Sequence, residues 1–397
     1  MDLKKIKTLD FNNLKKILNS DISSLKNINK KSKTVQIDSK IKPKNTKYVI
    51  SLDIGTNKIK VVVGKYSKNK IIIKDIFLVN TPKGIINDGN ILNNILMSET
   101  LQNIYDLCRI KTKTKNVNCI INSTSIINRE ILIPAAEEDE LDTLVKYEIA
   151  QYLPINLEDY ILQYNLIEEI KQDEINKFKV LVVTYPDKLA KQYYEALLNA
   201  KLIPNALDIT FNSLKKLLYN TTMINESEYN IKDTVAFIDM GANTLNINIY
   251  TNGQMDFTRI VKSGGNFIDN EISKNTGVSL KEGEEKKIKY CNLNGLFKEN
   301  TEEFLIDKII KEIIDEWIDE LNRIIQFYKN KKVGNKIDKI YIYGGSSNLN
   351  GIDIYLNSKL NIPVEKVTTF NNIVLDNNIE KNDLNLYINA IGAIIRF

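Results

Sequence analysis

The stretch YVISLDIGTNKIKVVVG occupies residues 48–64, and a similar pattern, TVAFIDMGANTLNINIY, returns at residues 234–250. In each copy an apolar run leads into Asp-x-Gly, then into small polar residues, and then into a second, alternating run. This pattern predicts a strand, a tight turn and a returning strand. Two such hairpins, set far apart in the chain, predict two halves of a molecule that present the same turn to one ligand.

The turn residues predict a site for phosphate and a divalent cation. Gly55 and Gly241 permit positive φ and leave space for a ligand, and the N–H groups of such a turn form an anion-binding concavity. Asp53 and Asp239 supply carboxylates that would meet a magnesium ion, through its waters, beside phosphate oxygens. The hairpins therefore predict two jaws that close on a polyphosphate, with ordinary hairpin turns of an α/β protein as the alternative.

A third segment, DKIYIYGGSSNLNGI at residues 338–352, runs from a predicted strand into a Gly-Gly pair. Such a pair lets the backbone approach a flat ligand, and the helix start that follows offers N–H groups. The order of hairpin, hairpin and strand-Gly-Gly resembles the actin-like ATPase superfamily, which includes actin, the heat-shock chaperones, sugar kinases and the bacterial actin-like proteins. The resemblance implies an α/β fold whose two halves enclose a nucleotide cleft.

Composition excludes several classes of function. The 397 residues include no His, which rules out His-based catalysis and His metal sites. Cys108, Cys119 and Cys291 have neither metal-site spacing nor the pattern of a disulfide framework, which favours a reducing cytoplasm. No run approaches the ~18 apolar residues of a membrane span. Residues 1–47 hold 13 Lys and 4 Asp, so the basic character belongs to a tail, and the mildly acidic remainder argues against nucleic-acid binding.

The order of the predicted elements divides the chain into four parts. The segment EEDELDTLVKYEIAQYLP predicts a helix that ends at Pro154, and two strands and a second helix follow it, which gives an αββα insert. The predicted parts are a basic tail or linker at 1–46, a first half at 47–136 and 201–232, the insert at 137–200, and a second half at 233–397.

The tail carries its own pattern. Its start, MDLKKIKTLDFNNLKK, lacks the features of a signal peptide, and several apolar residues could form one face of short helices with Lys opposite. Such a face would lie on an anionic membrane surface or dock on a partner, and a solvated tail is the alternative. The apolar residues are Leu3, Ile6, Leu9, Leu14, Ile17 and Leu18.

Within the superfamily, the small insert resembles that of the bacterial division actin and that of the PilM family of type IV pilus assembly proteins. Three segments look particularly like PilM: YEIAQYLPINLEDYILQYNLI, RIVKSGGNFIDNEI and YINAIGAIIRF. The resemblance covers residues 47–397, and the basic tail departs from it.

The PilM resemblance implies ATP in the cleft, with Asp53 and Asp239 holding magnesium through the waters of its hydration shell. EGEEKK, which contains Glu284 and Lys287, is equally typical of a solvated charge run. The residues implied to hold the nucleotide are Asp53, Gly55, Thr56, Asn57 and Lys58 on the first jaw, Asp239, Gly241, Ala242, Asn243 and Thr244 on the second, Gly264, Gly265 and Asn266 near ribose and phosphate, Glu284 and Lys287 near ribose and adenine, and Gly344, Gly345 and Ser346 near the α-phosphate and adenosine.

Hydrolysis would need a residue that orients a water in line with the γ-phosphate, and the sequence assigns none. Glu137 and Glu138 follow a predicted strand and Pro134, where such a residue could fall, but the acidic first turn of a helix explains them equally well. We therefore expect nucleotide binding with slow or negligible hydrolysis, so that ATP acts as a ligand that biases closure of the two halves.

The resemblance also implies a cytoplasmic protein that reaches the membrane through its partners. It would hold the cytoplasmic N-terminal peptide of a PilN-like inner-membrane protein in a groove between the first half and the insert, alongside other components of the pilus machine. The same residues could instead form the core of the insert. The candidate partner residues are Leu144, Tyr147, Ile149, Tyr152, Leu153 and Tyr160.

Two other functions stay open at this point. A division-type actin would form filaments at the membrane. A small-molecule kinase of the same superfamily would need a catalytic base, for which Asp239 could formally serve, and a substrate-binding insert that the sequence does not reveal.

Overall fold

The structure, a computed structural model, describes residues 43–153, 155–172, 175–379 and 381–397. Within this part of the chain, each half is built on one large mixed sheet, and a three-stranded sheet forms the insert.

The strands are β1 Val49–Ile54, β2 Lys58–Ser67, β3 Lys70–Asn80, β4 Ile86–Asn87, β5 Asn90–Ile91, β6 Asn116–Ile121, β7 Ile127–Pro134, β8 Tyr160–Gln172, β9 Ile175–Pro186, β10 Ile203–Ile209, β11 Met223–Ile224, β12 Ser227–Glu228, β13 Val235–Met240, β14 Leu245–Thr251, β15 Gln254–Val261, β16 Lys339–Tyr343, β17 Val364–Lys366 and β18 Ile373–Leu375.

The α-helices are α1 Asn94–Cys108, α2 Glu138–Tyr152, α3 Asp187–Asn199, α4 Thr210–Leu218, α5 Gly265–Thr276, α6 Leu280–Tyr290, α7 Glu302–Lys331, α8 Ile352–Leu360 and α9 Ile388–Gly392.

The first half is a sheet in the order β10-β6-β1-β2-β3-β18. β1 pairs antiparallel with β2 and parallel with β6, and all of its residues are buried. Its nearly unbroken apolar run follows from this position, because a central strand is covered on both faces. Helices α1 and α3 cover one face, and Met97, Leu101 and Tyr193 belong to the core beneath them.

The second half repeats this plan in the order β15-β14-β13-β16-β17. Helix α7, with 30 residues, packs its apolar face onto the core of this half. Its buried positions recur every three or four residues, as expected for an amphipathic helix on a sheet. Trp317 is fully buried in this packing.

A third apolar core joins the two halves. It combines Val62 and Tyr66 of the first sheet with Phe237 and Tyr250 of the second, and it includes the buried helix α9. The C-terminal segment therefore packs at the base of the cleft, where both halves meet.

The insert differs from the expected αββα arrangement at both of its ends. Its sheet has the order β7-β9-β8, and β7 pairs with β9 over its whole length, from Ile127 opposite Thr184 to Pro134 opposite Lys177. The second expected helix, α3, packs on the core of the first half instead. The cause is a strand pairing between segments about fifty residues apart, which local periodicity does not report.

The folded body begins before residue 47. The Lys44 N–H donates to the Arg396 carbonyl at 2.8 Å, and the Thr46 N–H donates to the Tyr66 carbonyl at 2.8 Å. Residues 1–42, with the apolar face predicted there, lie outside the described residues.

Candidate functional site

Each hairpin turn contains the same internal hydrogen bond, from its glycine N–H to the carbonyl three residues later. The Gly55 N–H donates to the Lys58 carbonyl at 3.1 Å, and the Gly241 N–H donates to the Thr244 carbonyl at 2.9 Å. A Cβ atom at Gly55 would lie 3.0 Å from the Lys58 oxygen, and one at Gly241 would lie 2.9 Å from the Thr244 oxygen. The carbonyl oxygen inside each turn therefore leaves little room for a side chain at either glycine. The expectation of positive φ at these positions is wrong, since neither is among the residues with positive φ.

Asp53 and Asp239 occupy equivalent positions, two residues before those glycines. Asp53 pairs across its hairpin with Lys60, and the Lys60 Nζ lies 3.3 Å from the Asp53 Oδ2. Burial acts to lower the pKa of Lys60, but the charges of Asp53 and Asp239 and the hydrogen bond to Asp53 outweigh it, so this pKa is raised. Lys60 is thus a cation that acts electrostatically on two carboxylates, one from each half.

The ionised form of the Asp239 carboxyl group is disfavoured by its surroundings. Burial raises its pKa to about 6; Lys60 opposes this rise and the negative charge of Asp53 adds to it. The Asn389 side-chain amide, from α9, donates to the Asp239 Oδ2 at 2.9 Å. A divalent cation beside Asp239 would favour its charged form, because an opposite charge lowers the pKa of a carboxyl group.

Gly344 lies against Asp239 at the end of β16. It has a φ of +89°, and a Cβ atom there would lie 2.5 Å from the Asp239 Oδ1. The neighbouring Gly345 is exposed, and a Cβ atom there would meet nothing within 4 Å. Of the predicted Gly-Gly pair, Gly344 is therefore the position that the fold itself requires.

The start of α5 packs against the second hairpin. The Gly265 N–H donates to the Gly241 carbonyl at 3.1 Å, and the Asn266 N–H donates to the Ala242 carbonyl at 2.8 Å. The Ser346 hydroxyl donates to the same Gly241 carbonyl at 3.1 Å. Three segments that the sequence predicted separately are therefore in direct contact.

The α6 residues predicted for the nucleotide divide into two cases. The Lys287 Nζ donates to the Gly265 carbonyl at 3.3 Å and forms an ion pair with Asp269 at 2.7 Å, so it reaches the start of α5. Glu284 is exposed. A role for Glu284 in binding stays a prediction.

Amide side chains connect the two jaws. The Asn57 Nδ2 donates to the Asn266 Oδ1 at 2.6 Å, and the Asn266 Nδ2 donates to the Asn243 Oδ1 at 2.7 Å. The Asn243 Nδ2 in turn donates to the Thr56 Oγ1 at 3.2 Å. These four residues, all predicted from the sequence, form one polar network across the cleft.

The lysine of β2 that faces Asp53 is Lys60, which was not among the residues predicted from the sequence; a phosphate-binding role for Lys58 stays a prediction. The Lys58 Nζ donates to the Asn80 Oδ1 at 2.6 Å in an exposed position, whereas the Lys60 Nζ lies 3.3 Å from the Asp53 Oδ2 and also acts on the charge of Asp239. Counting across the hairpin from Asp53 could have found Lys60, because the turn length fixes the register. Asn389 carries no such local signal, since it reaches Asp239 only through the packing of α9.

The residues present fit a magnesium–nucleotide complex. No group of three or more His, Cys, Asp or Glu side chains in the described ranges is arranged to hold a metal. Two carboxylates are nevertheless sufficient for magnesium, which keeps several waters and takes further oxygens from the phosphates of its substrate. Lys60 adds positive charge beside them, and the glycine-lined contacts leave backbone rather than side chains along the wall.

The predicted partner residues on the insert separate by burial. Ile149 and Leu153 belong to the insert's own core, so the prediction that they contact a partner is corrected. Leu144 packs against that core from its edge. Tyr147 and Tyr152 are 70% and 47% exposed, and they keep the aromatic surface that a partner would need.

Glu137 and Glu138 lie at the exposed start of α2, where Glu138, Asp139 and Glu140 form an acidic first turn. This is the structural explanation that the sequence offered for them. Across the ranges described, no helix is both long enough and apolar enough to cross a membrane.

Comparison with known proteins gives a consistent result. The sequence profile of the family described as type IV pilus assembly protein PilM matches residues 51–396. Cell division protein FtsA of Buchnera aphidicola subsp. Baizongia pistaciae is 25% identical over 403 residues, covering 88% of this chain and 92% of that protein.

Solved structures agree on the fold. The chain resembles the structure titled PilM-PilN type IV pilus biogenesis complex with a TM-score of 0.74 and 20% identity, over 87% of this chain and 97% of that one. Ethanolamine utilization protein EutJ from Carboxydothermus hydrogenoformans matches with a TM-score of 0.51 and 12% identity, over 89% and 91% of the two chains. These matches confirm the predicted actin-like ATPase fold.

Proposed function

The chain belongs to the family of the type IV pilus assembly protein PilM, and from that premise we propose that it is an ATP-binding scaffold of type IV pilus assembly. ATP with magnesium would lie between the two hairpins and bias the closure of the two halves. The insert and the first half would hold the cytoplasmic N-terminal peptide of a PilN-like membrane protein. The protein would then work in the cytoplasm, at the membrane through this partner.

The observation that carries the nucleotide proposal is the pairing of Asp53 and Asp239, one from each half, with Lys60 acting on both. Asp53 and Asp239 would hold magnesium, which would offset the charge of the phosphates. Lys60 would meet the remaining negative charge, and Gly344 keeps side-chain atoms away from Asp239. Ligand binding by both halves would favour the closed arrangement, because only that arrangement offers both sets of contacts.

Slow or negligible hydrolysis is part of the proposal. In-line attack needs a group that orients the water. Glu137 and Glu138 are exposed at the start of the insert helix, and we assign neither of them to this role. ATP would therefore act mainly as a bound ligand and not as a substrate for rapid hydrolysis.

The peptide part of the proposal draws support from the exposed aromatic residues of α2. Tyr147 and Tyr152 present apolar surface with a polar tip, a combination that is common at protein interfaces. The Arg129 guanidinium lies 4.8 Å from the centre of the Tyr152 ring, which links this surface to strand β7. The structure titled PilM-PilN complex supplies the class of partner.

Calorimetry tests both parts. In the first experiment, Mg-ATP is titrated into the wild type and into Asp239→Asn. In the second, the N-terminal peptide of a PilN-like protein encoded by a neighbouring gene is titrated into the wild type and into the double variant Tyr147→Ala/Tyr152→Ala. We expect the first variant to lose nucleotide binding and the second to lose peptide binding while each keeps the other activity. Absence of ATP binding by the wild type would refute the nucleotide proposal.

A division-type actin is the second candidate, because a cell division protein FtsA is 25% identical over most of the chain. Sedimentation and electron microscopy with Mg-ATP distinguish the two. Long filaments on lipid, without peptide binding, would favour the division-type function, and a peptide-binding protein that stays unpolymerised would favour the pilus scaffold.

A further inference from the structure

The edge of the first sheet that faces away from the cleft collects cations. Strands β1, β6 and β10 run parallel to one another, so their amino-terminal ends lie opposite the edge that carries Asp53. Helices α1 and α3 end on this side, because each leads into one of these strands. We call the surface formed here the basic edge. It consists of segment 109–115, which holds one Arg and three Lys, together with Lys65, Lys74 and Lys201.

One end of the basic edge lies on β1, β2 and β3. The Lys65 and Lys74 ammonium groups, one from each of the strands β2 and β3, lie 4.9 and 5.4 Å from the centre of the Tyr48 ring. The Lys111 Nζ lies 3.9 Å from the Oδ2 of Asp75, which follows Lys74 in β3. Segment 109–115 therefore adjoins this end of the surface.

The other end of the basic edge lies on β6 and β10. The Ile203 N–H, at the start of β10, donates to the Lys115 carbonyl at 2.8 Å. Lys115 and Lys201 both line a groove of about 550 Å³ between the ends of α1 and α3. The cations thus extend across the sheet, from β3 to β10, as one surface.

Cations outnumber carboxylates on this surface. Asp75 pairs with Lys111, the Asp106 Oδ1 lies 3.3 Å from the Arg109 Nη1, and Glu99 lines the groove. These three carboxylates face the seven cations of the basic edge. The positive excess favours a partner with many negative charges.

Exposed aliphatic side chains lie among the cations. Ile110 is 78% exposed within segment 109–115, and Ile203 is 52% exposed at the start of β10. Leu107 and Leu198, at the ends of α1 and α3, are exposed as well. A nucleic acid offers phosphates to cations and bases that stack on aromatic rings, whereas an anionic bilayer offers phosphates together with an apolar phase for aliphatic side chains.

We propose that the basic edge binds the surface of an anionic lipid bilayer. Its Lys and Arg side chains would meet lipid phosphates, and Ile110 and Ile203 would enter the boundary between headgroups and acyl chains. Residues 1–42, which hold 11 Lys and 4 Asp, precede the strand end beside this edge and would add to the attraction. This contact goes beyond the proposed function, in which a partner connects the protein to the membrane, and does not depend on it.

Vesicle flotation of the full chain, without a partner protein, tests the charge. The wild type should bind vesicles made of equal parts of phosphatidylglycerol and phosphatidylcholine, and should not bind phosphatidylcholine alone. Lys113→Glu/Lys115→Glu should bind about thirtyfold more weakly or less, because each cation at an anionic surface contributes about a factor of five. The matched control, Lys281→Glu/Lys308→Glu, makes the same change in net charge at exposed positions of the second half and should bind like the wild type.

Ile110→Ser tests the lipid itself. It removes apolar surface without changing charge, so it should weaken vesicle binding about fivefold and leave any binding of a DNA duplex unchanged. Circular dichroism confirms that each variant folds. Because residues 1–42 are intact in every variant, wild-type vesicle binding by Lys113→Glu/Lys115→Glu or by Ile110→Ser would overturn the proposal. So would an equal loss in the control, failure of the wild type to bind anionic vesicles, or tighter binding to DNA than to vesicles.

Discussion

The two halves use one hairpin for different electrostatic tasks. In both, the aspartate faces a residue seven positions later on the returning strand: Asp53 faces Lys60 and Asp239 faces Asn246. The first half therefore brings a carboxylate with its own cation, and the second brings a carboxylate with neutral amides around it. The two arrangements differ in the residue opposite the aspartate, which is Lys60 in the first half and Asn246 in the second.

This difference explains why the halves need each other. Lys60 belongs to the first half but acts on Asp239 of the second, whose pKa burial raises to about 6. A single lysine cannot neutralise two carboxylates, so these three side chains together keep a net negative charge. A hydrated divalent cation would balance this charge, so the two carboxylates suit a metal–phosphate ligand.

Of the substitutions considered, replacing Lys60 should have the largest effect on stability and on Mg-ATP affinity. Lys60→Met removes the cation opposite Asp53, so that a neutral residue faces the aspartate in both hairpins, and it leaves the charges of Asp53 and Asp239 without this partner. Because Lys60 is partly exposed, we expect a moderate loss of about 1–3 kcal/mol in the free energy of unfolding. Affinity for Mg-ATP should fall on the order of a hundredfold, measured by calorimetry, since a phosphate-binding charge is lost.

Lys58→Met is the matched control, because the Lys58 ammonium is bonded to Asn80 at the surface. We expect a stability change within about 0.5 kcal/mol, as for most surface substitutions. If the two variants lost Mg-ATP affinity equally, the contact of Lys60 with Asp53 and its effect on Asp239 would not explain binding.

Gly344 tests the wall that the second half places against Asp239. Gly344→Ala puts a side chain at a φ of +89° and directs it at the Asp239 Oδ1. Strain of this kind costs about 1–3 kcal/mol, which urea denaturation would measure. Gly345→Ala is the control next to it, where open space surrounds the added methyl group, and a loss there as large as at Gly344 would contradict the geometric argument.

The buried charge of Asp239 gives a pH-dependent prediction. Its pKa is raised from 3.8 to about 6, so the folded state holds the proton more tightly than the unfolded state does. Stability is therefore lost as pH rises through the window from about 4 to 6. Asp239→Asn removes this loss and should stabilise the protein by about 1–2 kcal/mol at pH 7.5, after screening by cleft water, but by little at pH 4.

Denaturant melts at the two pH values, in the absence of nucleotide, check this sign. Asp233→Asn, at an exposed position six residues earlier, should change stability little at either pH. Stabilisation by Asp239→Asn that is equal at pH 4 and 7.5 would mean that packing, not the charge, is responsible.

The sequence predicted what depends on local pattern. Both hairpins, the strand before Gly344 and the small insert follow from runs of a few residues and from a family resemblance. What it missed depends on contacts between distant segments: the pairing of β7 with β9, the packing of α3 on the first half, and the approach of Asn389 to Asp239. Lys60 falls between these cases, because it is local in sequence but its role depends on strand register.

The smallest expected effect on stability concerns the sheet edges: β18 covers β3 in the first half, whereas β15 is the last strand of its sheet among the described residues of the second. The Ile71 N–H donates to the Asn372 carbonyl and the Asp376 N–H donates to the Ile73 carbonyl, at 2.8 and 3.0 Å. Val374 lies between these bonds, so its own backbone faces β3 in the parallel ladder.

Val374→Pro should remove one ladder bond and make the first half resemble the second, at a cost of about 1 kcal/mol, the net value of one hydrogen bond. Val374→Ala keeps the N–H and is the control for the lost side chain. Hydrogen exchange should then quicken in β3 for the proline variant only. If β3 stayed protected, its edge would not depend on β18, and the two sheets would not differ in this respect.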